Sequence, residues 1–290
     1  MARVTTPDTP PVTDLLSLLT APAGLDGLRQ WAMFVALSSV AGLVLYFGFG
    51  GALYYLYYVR RRAQAEEWKI QSKRFLKPAL HRWAVRVAAA NLGMAGIITG
   101  SLMYYWSKGG YSQLYFDVHD WGYAYTALST VLTFVVIEAI AYYTHRWLHG
   151  KWMFKQVHVW HHRCVAPHPL TTVTMHPFEF LTFQATIFVP LFVYPIWAPA
   201  FAFLLVYVLV FNIMDHSGID MRHYLPWHSS SRYHDDHHVH FHCNYGQNLM
   251  CFDRWHGTLR RKNRRYGKDV FGGKGAPDSG SDEADEFMKY

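Results

Sequence analysis

Eight histidines fall into three clusters: His145-Arg-Trp-Leu-His149, His158-Val-Trp-His161-His162 and His234-Asp-Asp-His237-His238. On a helix, residues three or four apart share a face, so each cluster can aim its imidazoles at one point. Neutral imidazole is the commonest protein metal ligand near neutral pH and suits iron, zinc, copper and nickel. A lone pair four residues apart is commonly surface decoration. Three clusters, two with the same H-x-x-H-H spacing, point to a metal centre. A mononuclear zinc site needs only three or four ligands. The eight histidines, with His216 and His223 beyond them, make nine or ten, which suits two metals with four or five imidazoles each.

The Glu and Glu-x-x-His pattern of soluble di-iron bundles is absent. An all-nitrogen shell leaves two iron ions with net positive charge, able to reduce dioxygen and take hydrogen from an unactivated C–H bond. Zinc in the same ligands has no redox chemistry and would imply a lipid enzyme without net oxidation. Metal-bound imidazoles donate their second N–H to a carboxylate or carbonyl. Asp215, Glu179, Asp235 and Asp236 are candidates, with His176 a ligand or a support. His240 and His242 alternate with Val239 and Phe241 and read as a strand-like exit from the site. Glu138, seven residues before His145 in an apolar run, lies on nearly the same helix face, and an intramembrane acid is a functional candidate by default.

Long apolar runs must position these clusters. Trp31 to Tyr58 is uncharged, Trp83 to Trp106 carries only Arg86, and Trp121 to Tyr143 carries only Glu138 and leads straight to His145. Each is long enough for one crossing, which needs about 20 residues. The stretch 178–214, with Pro190, Pro195 and Pro199 near its middle, is a little short for two. It must leave and return if all clusters meet on one side, so it predicts a tight helical hairpin, reaching either part-way or fully through the membrane. The basic loop at 60–82 and the acidic-leaning loop at 107–120 place the histidines in the cytosol by the positive-inside bias.

Composition agrees: 51% hydrophobic, 17% aromatic and only 16% charged, with 16 of the 18 histidines between His145 and His256. The formal charge of +7 gathers beside apolar runs and after Arg254, which favours anionic lipid over nucleic acid. Three cysteines without C-x-x-C spacing give neither a disulfide framework nor a thiolate zinc site. The expected organisation is an N-terminal tail over 1–30, a membrane domain over 31–271 with its histidine region at 121–260, and a disordered tail over 272–290.

At its histidine clusters the chain resembles the fatty acid hydroxylase / sterol desaturase superfamily of integral-membrane oxidases. The boxes H-x3-H, H-x2-H-H and a later H-x2-H-H are matched at 145–149, 158–162 and 234–238. Met175-His176-Pro177-Phe-Glu179, Asp215-His216-Ser-Gly218, Asn244-Tyr245-Gly246-Gln247 and Asp253-Arg254 add to the likeness. The resemblance implies an all-α membrane bundle of about three transmembrane helices plus a hairpin, under a cytosolic cap holding two irons. It also implies dioxygen, electrons from a donor such as cytochrome b5 and its reductase, and a lipid substrate in the endoplasmic reticulum membrane. The Asn-Tyr-Gly-Gln ending and Asp-Arg pair look like sterol C-5 desaturases, and His256-Gly257-Thr258 looks like C-4 methylsterol oxidases. A fatty-acyl or sphingolipid hydroxylase is the alternative. Family members often carry a histidine where this chain has Asp220, so either Asp220 ligates, His223 takes its place, or the site has one ligand fewer.

Overall fold

The computed structural model describes residues 26–221, 225 and 227–277. The apolar runs form long helices: α1 (Gly27–Leu53), α2 (Pro78–Ser107) and α3 (Gly122–Leu148). The Asp26 carboxylate caps α1 by accepting from Arg29 N at 2.9 Å, and α1 continues through a wide π-helical stretch to Arg60. Pro78 opens α2, where its missing N–H costs nothing. Four spans are long and apolar enough to cross a membrane: Gly27–Arg60, Pro78–Ser107, Gly122–Leu148 and Ala198–Asp215. Their outer faces expose Leu37, Val40, Val44, Val131, Leu132 and Phe203, which suits a surface solvated by lipid. The protein is therefore a multi-pass membrane protein. α1 and α2 pack closely because Gly96 and Gly100, four apart, let the backbone of Ser39 and Val35 approach where a Cβ would clash.

After α3 the chain turns at Gly150 into α4 (residues 151–162), which widens into a π turn over Phe154–His158. The apolar stretch that follows is a hairpin of α5 (Pro177–Phe188) with a 3-10 turn at Val189–Phe192, and α6 (Ala198–Asp215). Its tip pairs β1 (Leu114–Tyr115) with β2 (Ile196–Trp197) in parallel register. Gln113 N donates to Leu191 O at 2.7 Å, and Tyr125 Oη donates to Pro195 O at 3.0 Å. The tip thus reaches the 107–120 loop, at the end of the bundle opposite the histidines. A part-way hairpin is not what forms: the 18 residues of α6 rise about 27 Å, close to the hydrocarbon thickness.

The histidine end is closed by α7 (Ser231–His240), α8 (Cys251–His256) and the 60–82 loop. That loop is stitched to the cap by Ile70 N to Gly218 O at 3.0 Å, Asp220 N to Trp68 O at 2.8 Å and Gln71 Nε2 to Val165 O at 2.8 Å. The basic loop and the histidines therefore share one side, and the 107–120 loop lies on the other. One sequence expectation changes here. Residues 239–242 form no strand: α7 runs to His240, and Phe241 turns the chain at φ 67°. Further on, β3 (Arg264–Arg265) pairs antiparallel with β4 (Ala276–Pro277). Residues 1–25 and 278–290, most of the two expected tails, lie outside the described residues.

Candidate metal centre

Helix geometry delivers the histidines to one buried place. His145 sits in the last turn of α3 and His149 caps it, α4 turns His158, His161 and His162 inward, and α7 carries His234, His237 and His238. His216 caps the end of α6. They separate into two groups: His145, His149, His158, His162 and His237 in one, and His161, His216, His234 and His238 in the other. Within each group one nitrogen from every ring lies within 4.8 Å of the others. The second and third boxes are each split between the groups. All nine rings are buried. His223 lies outside the described residues.

The partners of the outer nitrogens fix the tautomers. A carbonyl can only accept, so His145 Nδ1 donates to Tyr245 O at 2.7 Å, His237 Nδ1 to Cys243 O at 2.7 Å and His216 Nδ1 to Asn212 O at 2.8 Å. His161 Nδ1 donates to Thr174 O at 3.3 Å, and His158 Nδ1 faces the Glu179 carboxylate at 2.7 Å. His149 uses a relay. His242 Nε2 donates to Lys268 O at 2.9 Å, so its Nδ1 is the acceptor for His149 Nδ1–H at 3.0 Å. Every inner Nε2 so fixed is a bare lone pair. Among the described residues, His149 Nε2 and His237 Nε2 are buried without a partner, as are both nitrogens of His162 and His238. Lone pairs also face each other, at 3.2 Å for His145 and His158 and 3.1 Å for His161 and His216. Such an arrangement repels itself unless a cation lies between, and neighbouring nitrogens on a metal at about 2.1 Å stand roughly this far apart. The residues present fit two metal ions.

Electrostatics point the same way. Burial holds the imidazoles neutral, the form a metal needs: His158 is pulled down to about 3 and His216 to about 4. His149, His161, His162, His234, His237 and His238 are held well below the usual value by burial and then by their neighbours. Burial also pushes the Glu179 carboxyl well above its ordinary range. A dication beside His158 reverses that preference and favours the carboxylate.

The other candidates sit elsewhere. Asp220 is tied to Arg232 at 2.6 Å on the surface and belongs to neither histidine group. Asp235 accepts from Gln71 at 3.1 Å and Asp236 from Arg260 at 3.3 Å, and among the described residues neither is hydrogen-bonded to one of the nine histidines. Asp215 pairs with His228 at 3.5 Å. His176 caps α5, accepting from Phe178 N at 3.2 Å, so it supports the helix that carries Glu179. Glu138 does not reach for the surface. It is buried and accepts from Asn248 N at 2.8 Å, Asn248 Nδ2 at 2.6 Å and Leu249 N at 3.1 Å. Asp253 holds the same loop by accepting from Tyr245 N, Gly246 N, Thr258 Oγ1 and Tyr233 Oη. Together these acids place the Tyr245 carbonyl on His145.

Below the histidines lies a cavity of about 300 Å³. His145, His158, His161, His216 and His234 form its roof, and its walls are mainly apolar side chains of α1, α2, α3, α5 and α6. From His216 it reaches down to Leu205, eleven residues or roughly 16 Å along α6. Val206, one of the lining residues, is itself 47% exposed on the apolar helix surface.

Residues 130–258 match the family model described as fatty acid hydroxylase. The matched stretch is 129 of the 290 residues, a little under half of the chain. It contains both histidine groups, Glu138, Glu179 and the 241–249 loop. The chain is similar to a Delta(7)-sterol 5(6)-desaturase of Gibberella zeae, at 28% identity over 236 residues, 80% of this chain and 64% of that protein. It is also similar to lathosterol oxidase of Rattus norvegicus, at 27% over 246 residues, 83% of this chain and 79% of that one. A second Gibberella zeae Delta(7)-sterol 5(6)-desaturase is 32% identical over 154 residues, 52% of this chain and 47% of the relative. No solved structure matches the chain.

Proposed function

We propose that this protein is an O2-dependent membrane oxidoreductase that desaturates or hydroxylates a lipid, with a sterol as its substrate. The observation that carries the reading is the cavity: a mainly apolar chamber walled by the membrane helices and roofed by five of the nine clustered histidines. Mainly apolar walls suit a lipid and disfavour a charged soluble metabolite. The names of the relatives favour a sterol over an acyl chain.

In this reading His145, His149, His158, His162 and His237 hold one metal, and His161, His216, His234 and His238 hold the other. Two iron ions there would supply dioxygen reduction and the abstraction of hydrogen from an unreactive C–H bond. The chain's own residues do the rest. Glu179, His242 and the carbonyls of Tyr245, Cys243, Asn212 and Thr174 keep the outer ring nitrogens protonated and the inner ones free. The apolar walls exclude water and hold the substrate against the roof. The basic loop on the histidine side supports a cytosolic face there by the positive-inside bias, and the reading takes the endoplasmic reticulum as the host membrane. Electrons come from a cytosolic-face carrier such as cytochrome b5 and its reductase.

Lipid profiling of cells with and without the gene, paired with elemental analysis of purified protein, tests the reading. Loss of the gene should accumulate a sterol lacking a ring double bond or retaining a methyl group, and the protein should carry about two irons. Unchanged sterols with loss of hydroxylated acyl chains would move the assignment to the acyl alternative, and zinc alone without oxygen-dependent turnover would refute the oxidase.

A further inference from the structure

The inner face of α5 reads Phe180, Gln184 and Ile187 at helical spacing, while Phe178, Leu181 and Ala185 face outward and are exposed. Gln184 is the one amide on that inner face. It lines the cavity, and its side chain finds no hydrogen-bond partner among the described residues. The side chain is half-buried and faces a cavity whose walls are otherwise mainly apolar, so it is placed to pair with a polar group that enters from outside. Its position is close to the chemistry. Glu179, which bonds His158, is five residues back, about 7.5 Å along the helix. The ring of the adjacent Phe183 lies 6.4 Å from that of His145. Across the cavity Gln247 is a second lining amide whose side chain has no partner among the described residues, and its backbone is pinned by Ser229 Oγ at 3.2 Å and by the neighbouring Asn248 on Glu138.

We infer that Gln184, assisted by Gln247, binds the hydroxyl of the substrate and so sets which carbon meets the metal centre. This rests on the lipid-oxidase reading above and adds an orientation to it. The hydroxyl end lies under the histidine roof, and the apolar body runs down between α1, α2 and α6 towards Ser38, Gly96 and Thr99. The carbon oxidised is therefore near the hydroxyl and not at the far apolar end of the molecule. A glutamine suits this task because it can donate to and accept from the same hydroxyl.

The test is equilibrium binding to the metal-loaded protein in nanodiscs. Lathosterol is compared with its 3-methyl ether, and a long-chain primary alcohol with its methyl ether. Wild type should prefer the free hydroxyl about tenfold, the worth of one well-made hydrogen bond. Gln184→Leu should erase that preference while binding the ether as wild type does, and Gln247→Leu should reduce it in part. Unchanged metal content and thermal midpoint show that the variants are folded. A Gln184→Leu protein that still prefers the hydroxyl overturns the assignment while leaving a sterol substrate intact. Preference confined to the alcohol pair and erased by Gln184→Leu supports the hydroxyl site and overturns the sterol reading. Absence of any hydroxyl preference in wild type, or of binding to either pair, overturns the site.

Discussion

An imidazole offers a lone pair to a metal only from the nitrogen that lacks a proton, so the partner of its other nitrogen decides whether it is a ligand. Glu179 and His242 supply that decision for His158 and His149 through side chains, which makes them open to mutation where backbone carbonyls are not. Replacing Glu179 by Leu should weaken metal retention about 10- to 100-fold, with Glu179→Gln milder because its amide oxygen can still accept. His242→Phe tests the relay. A phenyl ring fits between Phe154 and Phe271, whose ring centres lie 4.8 and 4.1 Å from that of His242, but it leaves His149 Nδ1–H without an acceptor. The expected result is selective loss of one of two metals on dialysis against a chelator, read by elemental analysis. Full retention in both variants would show that the outer partners do not orient the site. The box spacing made the clustered histidines legible in the sequence, because i, i+3 and i, i+4 positions share a helix face whatever the tertiary fold. The supporting residues were less legible. Asp235 and Asp236 are one and two positions from His234 and therefore point elsewhere on the helix, whereas Glu179 arrives from another helix altogether. The role of His242 depends on a backbone turn at Phe241 that alternation of residue types conceals.

At the scale of elements, the 241–249 loop is the part most exposed to failure, since it carries the carbonyls that orient His145 and His237 and has no regular structure. Two buried acids hold it, Asp253 from α8 and Glu138 from α3. Glu138→Ala should strand three donors, the buried Asn248 N and Asn248 Nδ2 and the half-buried Leu249 N. The cost is of order 3 kcal/mol or more, since each orphaned donor costs about 1–3 kcal/mol. Glu138→Gln keeps one acceptor oxygen and should fall between. The measurement is the thermal midpoint of purified protein beside its metal content: both should drop in the alanine variant, and an unchanged midpoint would mean that the loop is held without α3. The long helices, the proline-marked hairpin and the intramembrane acid were all visible in the sequence. The depth of the hairpin was not, because it depends on pairing between residues 113–116 and 191–197, distant segments with no pattern in common.

For the whole molecule, gathering so many neutral imidazoles under one roof couples stability to pH. Eight of them outside the membrane spans have folded-state values below the ordinary 6.5, among them His158 at about 3 and His216 at about 4, mainly through burial. A depressed histidine contributes its full stability above the unfolded value, and that contribution is lost as pH falls towards the folded value. The unfolded chain takes up protons below about pH 6.5 that the folded site refuses, so the metal-free protein should lose stability steeply between pH 6.5 and about 4. Glu179, with its raised value, works in the opposite sense, but it is one carboxyl against eight imidazoles. Bound metal shifts the balance again, since it stabilises only the folded form and must be displaced before the rings can protonate. Thermal midpoints of metal-free and metal-loaded protein at pH 7.5, 6 and 5 check this. The metal-free protein should fall sharply across the series while the loaded protein holds to lower pH before failing abruptly with metal release. A metal-free midpoint that stays flat down to pH 5 would mean that the rings protonate freely in the folded state, and the buried two-group centre would then be the wrong description of this cap.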